Sequence, residues 1–459
     1  MTALSVALLI PWVVGVALLV MDGRRRSIRW IAVGALGATL VALGAVAADV
    51  LRAGPIVVTT GNWPLGVGIT LRADALGVTF ALLSVAMLTA AVTHEAFDHI
   101  AEREFPGLVL LLAAGLIGTF LTGDIFNFYV FFELALAASY VLAIYGRTPR
   151  VLGAGLVFTA VNLLGTFVFL LSVASIYRVT GTLDMGRIAD RMAVADPNAA
   201  ILIAVGFFVA FSVKLGLFPF HFWLPTVYAA ARPAVAAILS GSLANIGAYG
   251  LLRFGAGLLP RELELAGGAL IVIGVASIVY GGVLAVSRRT GTEMLAYSAI
   301  GQVGYVLVAI GVGGPVAFAA AILYTVVNAA NKTMLFLTTQ QRGALVGGLF
   351  AVGALSIAGV PPAVGFIGKL EVFRAVMGQP ALLLIVVLGS LLSFVYAFQI
   401  YQFEHWRPEP PTARSGEGWW RARIVPISLG GLILALGVWP EPLLALSAAA
   451  AGALTGVAR

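Results

Sequence analysis

Phe207-Phe208-Val209-Ala210-Phe211-Ser212-Val213-Lys214-Leu215-Gly216-Leu217-Phe218-Pro219, with Pro225 six residues further on, sets one lysine in an apolar run that glycine and proline then interrupt. Ala358-Gly359-Val360-Pro361-Pro362-Ala363-Val364-Gly365-Phe366-Ile367-Gly368-Lys369 assembles the same ingredients a second time. Proline removes a backbone donor and clashes with the preceding turn, so both stretches read as helices that stop and restart. Interrupted apolar helices at corresponding places in two halves of a chain are the best sequence pointer to a site built inside a membrane.

The composition around them agrees. Of 459 residues 61% are hydrophobic and 10% charged, and mean hydropathy is +1.04. Soluble domains carry about 25% charged residues. A membrane helix needs about 20 apolar residues. Runs of that kind fall at 3–21, 30–49, 74–94, 106–122, 125–145, 152–176 and 198–218. Seven more fall at 232–254, 265–287, 293–313, 315–340, 346–373, 382–404 and 424–443. The expected fold is all-α and polytopic, with about fourteen transmembrane helices. No stretch between spans is long enough for a soluble domain. The 54–72 stretch, with Gly61-Asn62-Trp63-Pro64 at its centre, reads as a small hairpin. At 183–195, Leu183, Met185, Ile188 and Met192 alternate with Asp184, Arg187, Asp190 and Arg191, which predicts an amphipathic helix along the interface.

Twenty-four of the 27 basic residues are arginine and three are lysine. Odd-numbered loops hold fifteen arginines (24, 25, 26, 29, 103, 147, 150, 232, 288, 289, 342, 407, 414, 421, 423). Even-numbered loops hold eight (52, 72, 178, 187, 191, 253, 261, 374). Basic loops stay cytoplasmic, so odd loops are expected inside and both termini outside. The first span has no basic residue before it, which suits an uncleaved helix. The same rule explains the excess positive charge without a nucleic-acid partner. With no cysteine, disulfides, thiolate catalysis and cysteine-held metal or iron–sulfur sites are excluded.

A faint repeat relates the sixth and eleventh spans: Phe158-Thr159-Ala160-Val161-Asn162 and Tyr324-Thr325-Val326-Val327-Asn328. Spans five apart run in opposite directions, so the repeat is inverted. The expected organisation is 1–105, three helices with a short extracytoplasmic hairpin; 106–254, the first five-helix repeat; 255–404, the second, each with one broken helix; and 405–459, a cytoplasmic loop and last helix.

A charge at the bilayer centre costs roughly 2.5–3.5 kcal/mol on insertion scales. Four residues incur that cost: Glu133, Lys214, Lys332 and Lys369. An acid and a base in one bundle can neutralise each other, so a static Glu133–Lys214 pair is the plain alternative to a moving charge. For Lys332 the alternative is snorkelling to an interface, and for Lys369 a peripheral pair with Glu371. Around Lys332, Asn328 and Asn331 form a polar stripe. Ser298, Gln302 and Tyr305 share a face of the tenth span, and Asn245 and Tyr249 share one of the eighth. Each alone reads as glue between helices; together they line a wet path. His221, beside Pro219, reads as polar lining. His94 and His99 are five apart, about 140° around a helix, so they do not make a zinc pair. No phosphate loop, dinucleotide fingerprint or haem-type histidine pair is present, and no cofactor or metal is expected.

Thr122-Gly123-Asp124-Ile125-Phe126-Asn127-Phe128-Tyr129-Val130-Phe131-Phe132-Glu133, ending in Ala138-Ser139-Tyr140-Val141-Leu142, closely resembles the fifth helix of the D-type subunit of Mrp-type multisubunit cation/proton antiporters. The stretches around Lys214 and Lys369 are similar to that family's two broken helices, and the resemblance runs nearly the whole chain. The superfamily includes the antiporter-like pumping subunits of respiratory complex I and membrane-bound hydrogenases. The resemblance implies a proton-conducting subunit, not an enzyme in itself, in a prokaryotic inner membrane. Its partners would be protons, a monovalent cation with sodium first, other membrane subunits and the bilayer. It implies Glu133 and Lys214 as the coupled acid–base pair, Lys332 as the central lysine and Lys369 as the terminal group. Three positions depart from the family pattern: Asn245 stands for a lysine or histidine, and Asn328 and Tyr324 stand for histidines. None of the three titrates near neutral pH. The alternatives are a pumping subunit of a redox-driven complex and a scaffold whose channel has degenerated. Lysine gives up its proton when buried and arginine does not, which is why three lysines confined to the spans carry the reading.

Overall fold

The structure, a computed structural model, describes residues 3–59, 61, 68–97, 102–339, 341–406 and 420–455. Two outer helices, α1 (Ala3–Val20) and α2 (Arg26–Ala53), lead to strands β1 (Ile56–Thr59) and β2 (Thr70–Ala73). The strands pair antiparallel with Ile56 opposite Ala73, so the hairpin is formed; Asn62, Trp63 and Pro64 at its tip lie outside the described residues. Then follow α3 (Ala75–Phe97), α4 (Phe105–Leu121), α5 (Ile125–Ala143), α6 (Pro149–Thr180) and the short α7 (Met185–Met192). The seventh span is α8 (Pro197–Leu215) plus α9 (Trp223–Ala230). The eighth is a run of α10 (Pro233–Ile238), a π turn (Leu239–Leu243), α11 (Asn245–Gly250) and a second π turn (Leu251–Leu258). Helices α12 (Pro260–Val286), α13 (Gly291–Val312) and α14 (Gly314–Thr338) follow. The twelfth span is α15 (Ala344–Ala358) plus α16 (Val364–Ala375), and α17 (Pro380–Tyr401), α18 (Ile424–Val438) and α19 (Glu441–Thr455) complete the chain.

Among the described residues twelve helices are long and apolar enough to cross a membrane. The seventeen-residue α4 and the α15–α16 pair bring the spans to fourteen. Their starts are written locally. Asp124, Thr148, Asp184, Asp196 and Thr290 each accept a hydrogen bond from the backbone N–H three residues on, and proline opens α4, α6, α8, α10, α12, α14 and α17. Burial separates inner from outer spans: 94% of the eighth and 83% of α13 lie inside the protein, against 28% of α1. The exposed apolar faces of α1, α2, α6 and α17 are what a lipid-facing surface requires.

The two broken spans stop in the same way. Gly216 ends α8 at φ +66°, its N–H bonded to Val213 O (3.2 Å), with the Leu217 N–H on Ser212 O (3.2 Å). Gly359 ends α15 at φ +81°, its N–H on Ser356 O (3.1 Å), with the Val360 N–H on Leu355 O (2.9 Å). This left-handed closure satisfies carbonyls that lipid could not. Each glycine precedes by three residues a proline in a cis peptide bond, Phe218–Pro219 and Pro361–Pro362.

Two expectations change. The last span does not end near 443: a break at 439–440 leads into α19, which packs on α14 and α3. Prolines at 440 and 442 hid a helix whose alanines continue to 453. The amphipathic segment is a helix, but Met185, Ile188 and Met192 bury their apolar face in the protein, against α6 and the end of the eighth span.

The broken twelfth span closes on itself tightly enough to test. A Cβ at Gly365 would lie 1.7 Å from Ser356 O, so Gly365→Ala must part α15 from α16. Overpacking of that kind costs about 1–3 kcal/mol. The thermal unfolding midpoint of the detergent-solubilised protein should fall, and an unchanged midpoint would show that the seam yields freely.

Candidate functional site

All three lysines are buried, at 3% exposure for Lys214 and 1% for Lys332 and Lys369. Lys214 occupies the last turn of α8, where unpaired carbonyls give a helix its negative end. Its Nζ donates to Asn162 Oδ1 of α6 (2.5 Å) and lies 4.9 Å from the centre of the Phe132 ring. Glu133 is the next residue of α5 after Phe132, whose ring Lys214 faces. Glu133 and Lys214 do not touch: no ion pair within 4 Å joins them, and Glu133 Oε1 is buried without a hydrogen-bond partner. A static salt bridge is therefore not what holds these helices.

Lys369 lies ten residues after its glycine, whereas Lys214 lies two before its own. Folding removes that difference. Lys369 Nζ reaches back across the break to Ala358 O, the last carbonyl of α15 (3.3 Å), and sits 4.9 Å from the centre of the Tyr305 ring. Both ammonium groups thus sit at the C-terminal end of a half-helix, beside an aromatic face. Glu371 turns away to Arg374 (2.8 Å), which removes the peripheral pair with Lys369. Lys332 does not snorkel either. Its Nζ donates to Leu295 O (2.9 Å) and to Ser298 Oγ, both on α13.

The polar stripes divide by what they touch. Gln302 lies between Lys332 and Lys369: its Nε2 donates to Tyr396 Oη (2.7 Å) and Ser393 Oγ (3.2 Å) of α17, and its Oε1 accepts from Tyr324. Asn331 is buried with Oδ1 unpartnered, and Asn328, half-buried, takes no part in this cluster. His221 lies buried in the break of the seventh span, its ring 4.4 Å from that of Tyr280. Asn245 donates to Ser84 Oγ of α3 (3.2 Å) and to Gly241 O (2.9 Å), reaching neither Lys214 nor Lys332. Tyr249 donates to Phe120 O (3.0 Å) and accepts from Arg253 Nε (3.0 Å).

That last contact overturns one assignment. Arg253 is no loop residue: it is buried in the eighth span and grips Asp74 with two hydrogen bonds (2.6 and 2.7 Å). Asp74 also accepts from the Gly77 N–H at the start of α3 (3.0 Å). Between this pair and Lys214 stand Phe128, Phe169, Phe211 and Phe254, with ring centres 5.0–6.2 Å apart. His94 and Glu95 are buried, with Glu95 3.8 Å from Arg232; His99 lies outside the described residues. Asn162, Ser390, Ser393 and Tyr396 were not singled out as site residues. Asn162 stood in view at the end of the repeated five residues, and the i, i+3, i+6 spacing of the other three was legible on α17.

A fourteen-span bundle with two broken helices, each ending at a buried ammonium, defines a class of polytopic membrane protein. The chain belongs to the NADH:quinone oxidoreductase/Mrp antiporter transmembrane family, whose sequence model matches residues 122–395. It is similar to the D-type subunit of the Na(+)/H(+) antiporter of Alkalihalophilus pseudofirmus, 31% identical over 464 residues, covering 95% of this chain and 94% of that one. It is also similar to the D-type subunit of a probable K(+)/H(+) antiporter of Rhizobium meliloti, 32% identical over 430 residues, covering 82% and 79%. A chain in the structure of the Mrp complex from Dietzia sp. superposes with a TM-score of 0.90 at 25% identity, over 99% of this chain and 98% of that one. A chain of respiratory complex I from Thermus thermophilus shares the fold with a TM-score of 0.84 at 24% identity, over 99% and 100%.

The Asp74–Arg253 pair yields a stability test. Burial alone would raise the Asp74 carboxyl, but the Arg253 charge and hydrogen bonds more than offset it and hold it below its ordinary range. A lowered value means that the stabilisation is complete above the unfolded carboxyl's pKa, about 4, and is lost only as pH falls through the lower, folded value. Asp74→Asn leaves Arg253 buried and uncompensated, a change that costs about 3–5 kcal/mol. The difference in melting between the two proteins should be constant from about pH 5 to 8 and shrink only in strong acid.

Proposed function

We propose that this chain is the proton-conducting D-type subunit of a multisubunit cation/proton antiporter, with Glu133, Lys214, Lys332 and Lys369 as its relay. The observation that carries the reading is the placement of the lysines: the chain has three, and all are buried in the interior of a membrane bundle. Lysine exchanges a proton there and arginine does not, so the residue type matches the task.

Lys214 receives a proton in its neutral form and holds it at the end of α8, with Asn162 as acceptor. Glu133 stabilises the resulting charge more strongly the closer it comes. The uncontacted carboxylate leaves room to approach and withdraw, and each movement changes how firmly Lys214 keeps its proton. Lys332 and Lys369 then carry the charge through the second half. The halves are 106–254 and 255–404, and each places one half-helix end against one lysine. Asn328, Asn331 and His221 line the path without themselves carrying the charge, whereas Asn245 and Tyr249 are engaged by α3 and by Phe120 and Arg253. Sodium is the first cation to test and potassium the second. The chain works beside other membrane subunits in a prokaryotic inner membrane, with both termini outside and the arginine-rich loops inside.

In vesicles containing the assembled complex, Lys214→Ala and Lys332→Ala should each reduce sodium-driven proton movement at least tenfold. Asn162→Ala should slow it less, because it removes only an acceptor. Full transport by Lys214→Ala would end this reading.

A further inference from the structure

We propose that a phospholipid with an amine-bearing, zwitterionic headgroup, of the phosphatidylethanolamine class, binds in a cavity of about 660 Å³ bounded by α2, α7, the end of the eighth span and α19. The site is separate from the three lysines and does not rest on their reading as a relay.

α7 is the element that proton conduction leaves without a task. Its apolar face is buried in the protein, while Asp184, Arg187 and Asp190, at the three-residue spacing of one helix side, line the cavity. Arg72 of β2 lines it as well. Asp74 and Arg253 also reach it, but they are committed to each other through two hydrogen bonds. Arg72 lies 3.7 Å from Asp74, and its side chain is 40% exposed. Beyond the Asp74–Arg253 pair, the charges in the wall are two guanidinium groups, Arg72 and Arg187, and two carboxylates, Asp184 and Asp190.

That balance selects the ligand. A bare cation drawn to the carboxylates meets two guanidinium groups, and a bare anion drawn to the arginines meets two carboxylates. A molecule with both charges is attracted at both ends. Phosphate oxygens accept paired N–H bonds from arginine, and a primary ammonium donates its protons to carboxylate oxygens. Asp184 Oδ1 already accepts the Arg187 backbone N–H (3.0 Å), but a carboxylate has acceptor sites for several donors, and a guanidinium has five N–H groups. A choline headgroup has no N–H to give, and a glycerol headgroup has no cation. The rest of the wall is apolar and leads to the bilayer. Val50 and Leu51 of α2 and Ala453 and Leu454 of α19 form part of it. Leu51 is 52% exposed and Val41, further along α2, is 76% exposed, so acyl chains leaving the cavity run onto a lipid-facing surface. The volume falls within the roughly 300–1,000 Å³ of small-ligand sites, room for a headgroup and its glycerol with the chains outside.

The test uses the assembled complex, purified in detergent and stripped of lipid. Phosphatidylethanolamine, phosphatidylglycerol or phosphatidylcholine is added back, and bound lipid is counted by native mass spectrometry. The wild-type complex should retain one phosphatidylethanolamine more than a complex carrying Arg72→Gln and Arg187→Gln. Each lost charge-assisted contact should weaken binding about tenfold, and Arg72→Lys, which keeps the charge, should weaken it less. Asp190→Asn should shift the preference toward phosphatidylglycerol about tenfold, because it removes both a partner of the ammonium and a repulsion of anions. Equal retention of the three lipids by the wild type would overturn the proposal, and so would undiminished phosphatidylethanolamine in the double variant or an unchanged preference in Asp190→Asn. Displacement of the lipid by phosphoethanolamine or inorganic phosphate would overturn it in favour of a soluble ligand, and displacement by sodium at constant ionic strength in favour of a cation site. Should the double variant fail to assemble, Arg187→Gln alone, at an exposed position of α7, makes the same comparison.

Discussion

A helix that ends inside a bilayer leaves carbonyl groups with no water to bind them, and this constraint organises the whole protein. The two interrupted spans satisfy it with the same device, a left-handed glycine whose N–H turns back onto the last turn. What the cap leaves over is a negative half-helix end within the membrane, and at each such end the fold sets an ammonium group. The breaks and two of the three lysines, Lys214 and Lys369, are thus one feature. Without a break, a lysine at that depth has only hydrocarbon and the sides of helices around it.

The basic residues follow from the same energetics. Arg253 stays charged and is therefore held by Asp74 in a fixed bidentate pair, with Tyr249 on its third nitrogen. The lysines have no such carboxylate clamp. Lys214 has an amide, Lys332 a hydroxyl and a carbonyl, and Lys369 a carbonyl. Neutral acceptors suit a group that exists in two protonation states, because neither state is left with an unpaired opposite charge. The phenylalanines between Lys214 and the Asp74–Arg253 pair keep the two in separate surroundings.

Much of the fold was legible because its signals are local and one-dimensional. Apolar runs of bilayer length, proline at helix starts and Ser/Thr/Asp caps depend on neighbours within a few residues, and so do the glycine–proline breaks. The four costly charges were visible for the same reason, as a charge in an apolar run needs no partner to be noticed. Reading by hydropathy failed where the local signal misleads. Arg253 lies near the end of its span and passed for a loop residue. Alanine-rich α19 follows two prolines and extends beyond 443, where the last apolar run ends.

Spacing, composition and backbone chemistry by themselves determined the class of protein, the number of spans, the places where two of them break and the charged residues set within apolar spans. Tertiary packing alone decided which groups meet. It put Lys369 at the end of α15 despite its distance along the chain, and kept Glu133 short of Lys214. It also gave Lys214 its amide acceptor on α6 and brought Tyr396 and Ser393 of α17 against Gln302 of the tenth span. The physical reason is that a helix presents its side chains to whichever helices pack beside it. A hydrogen bond between spans depends on rotation and depth within about an ångström, which no count along one chain contains.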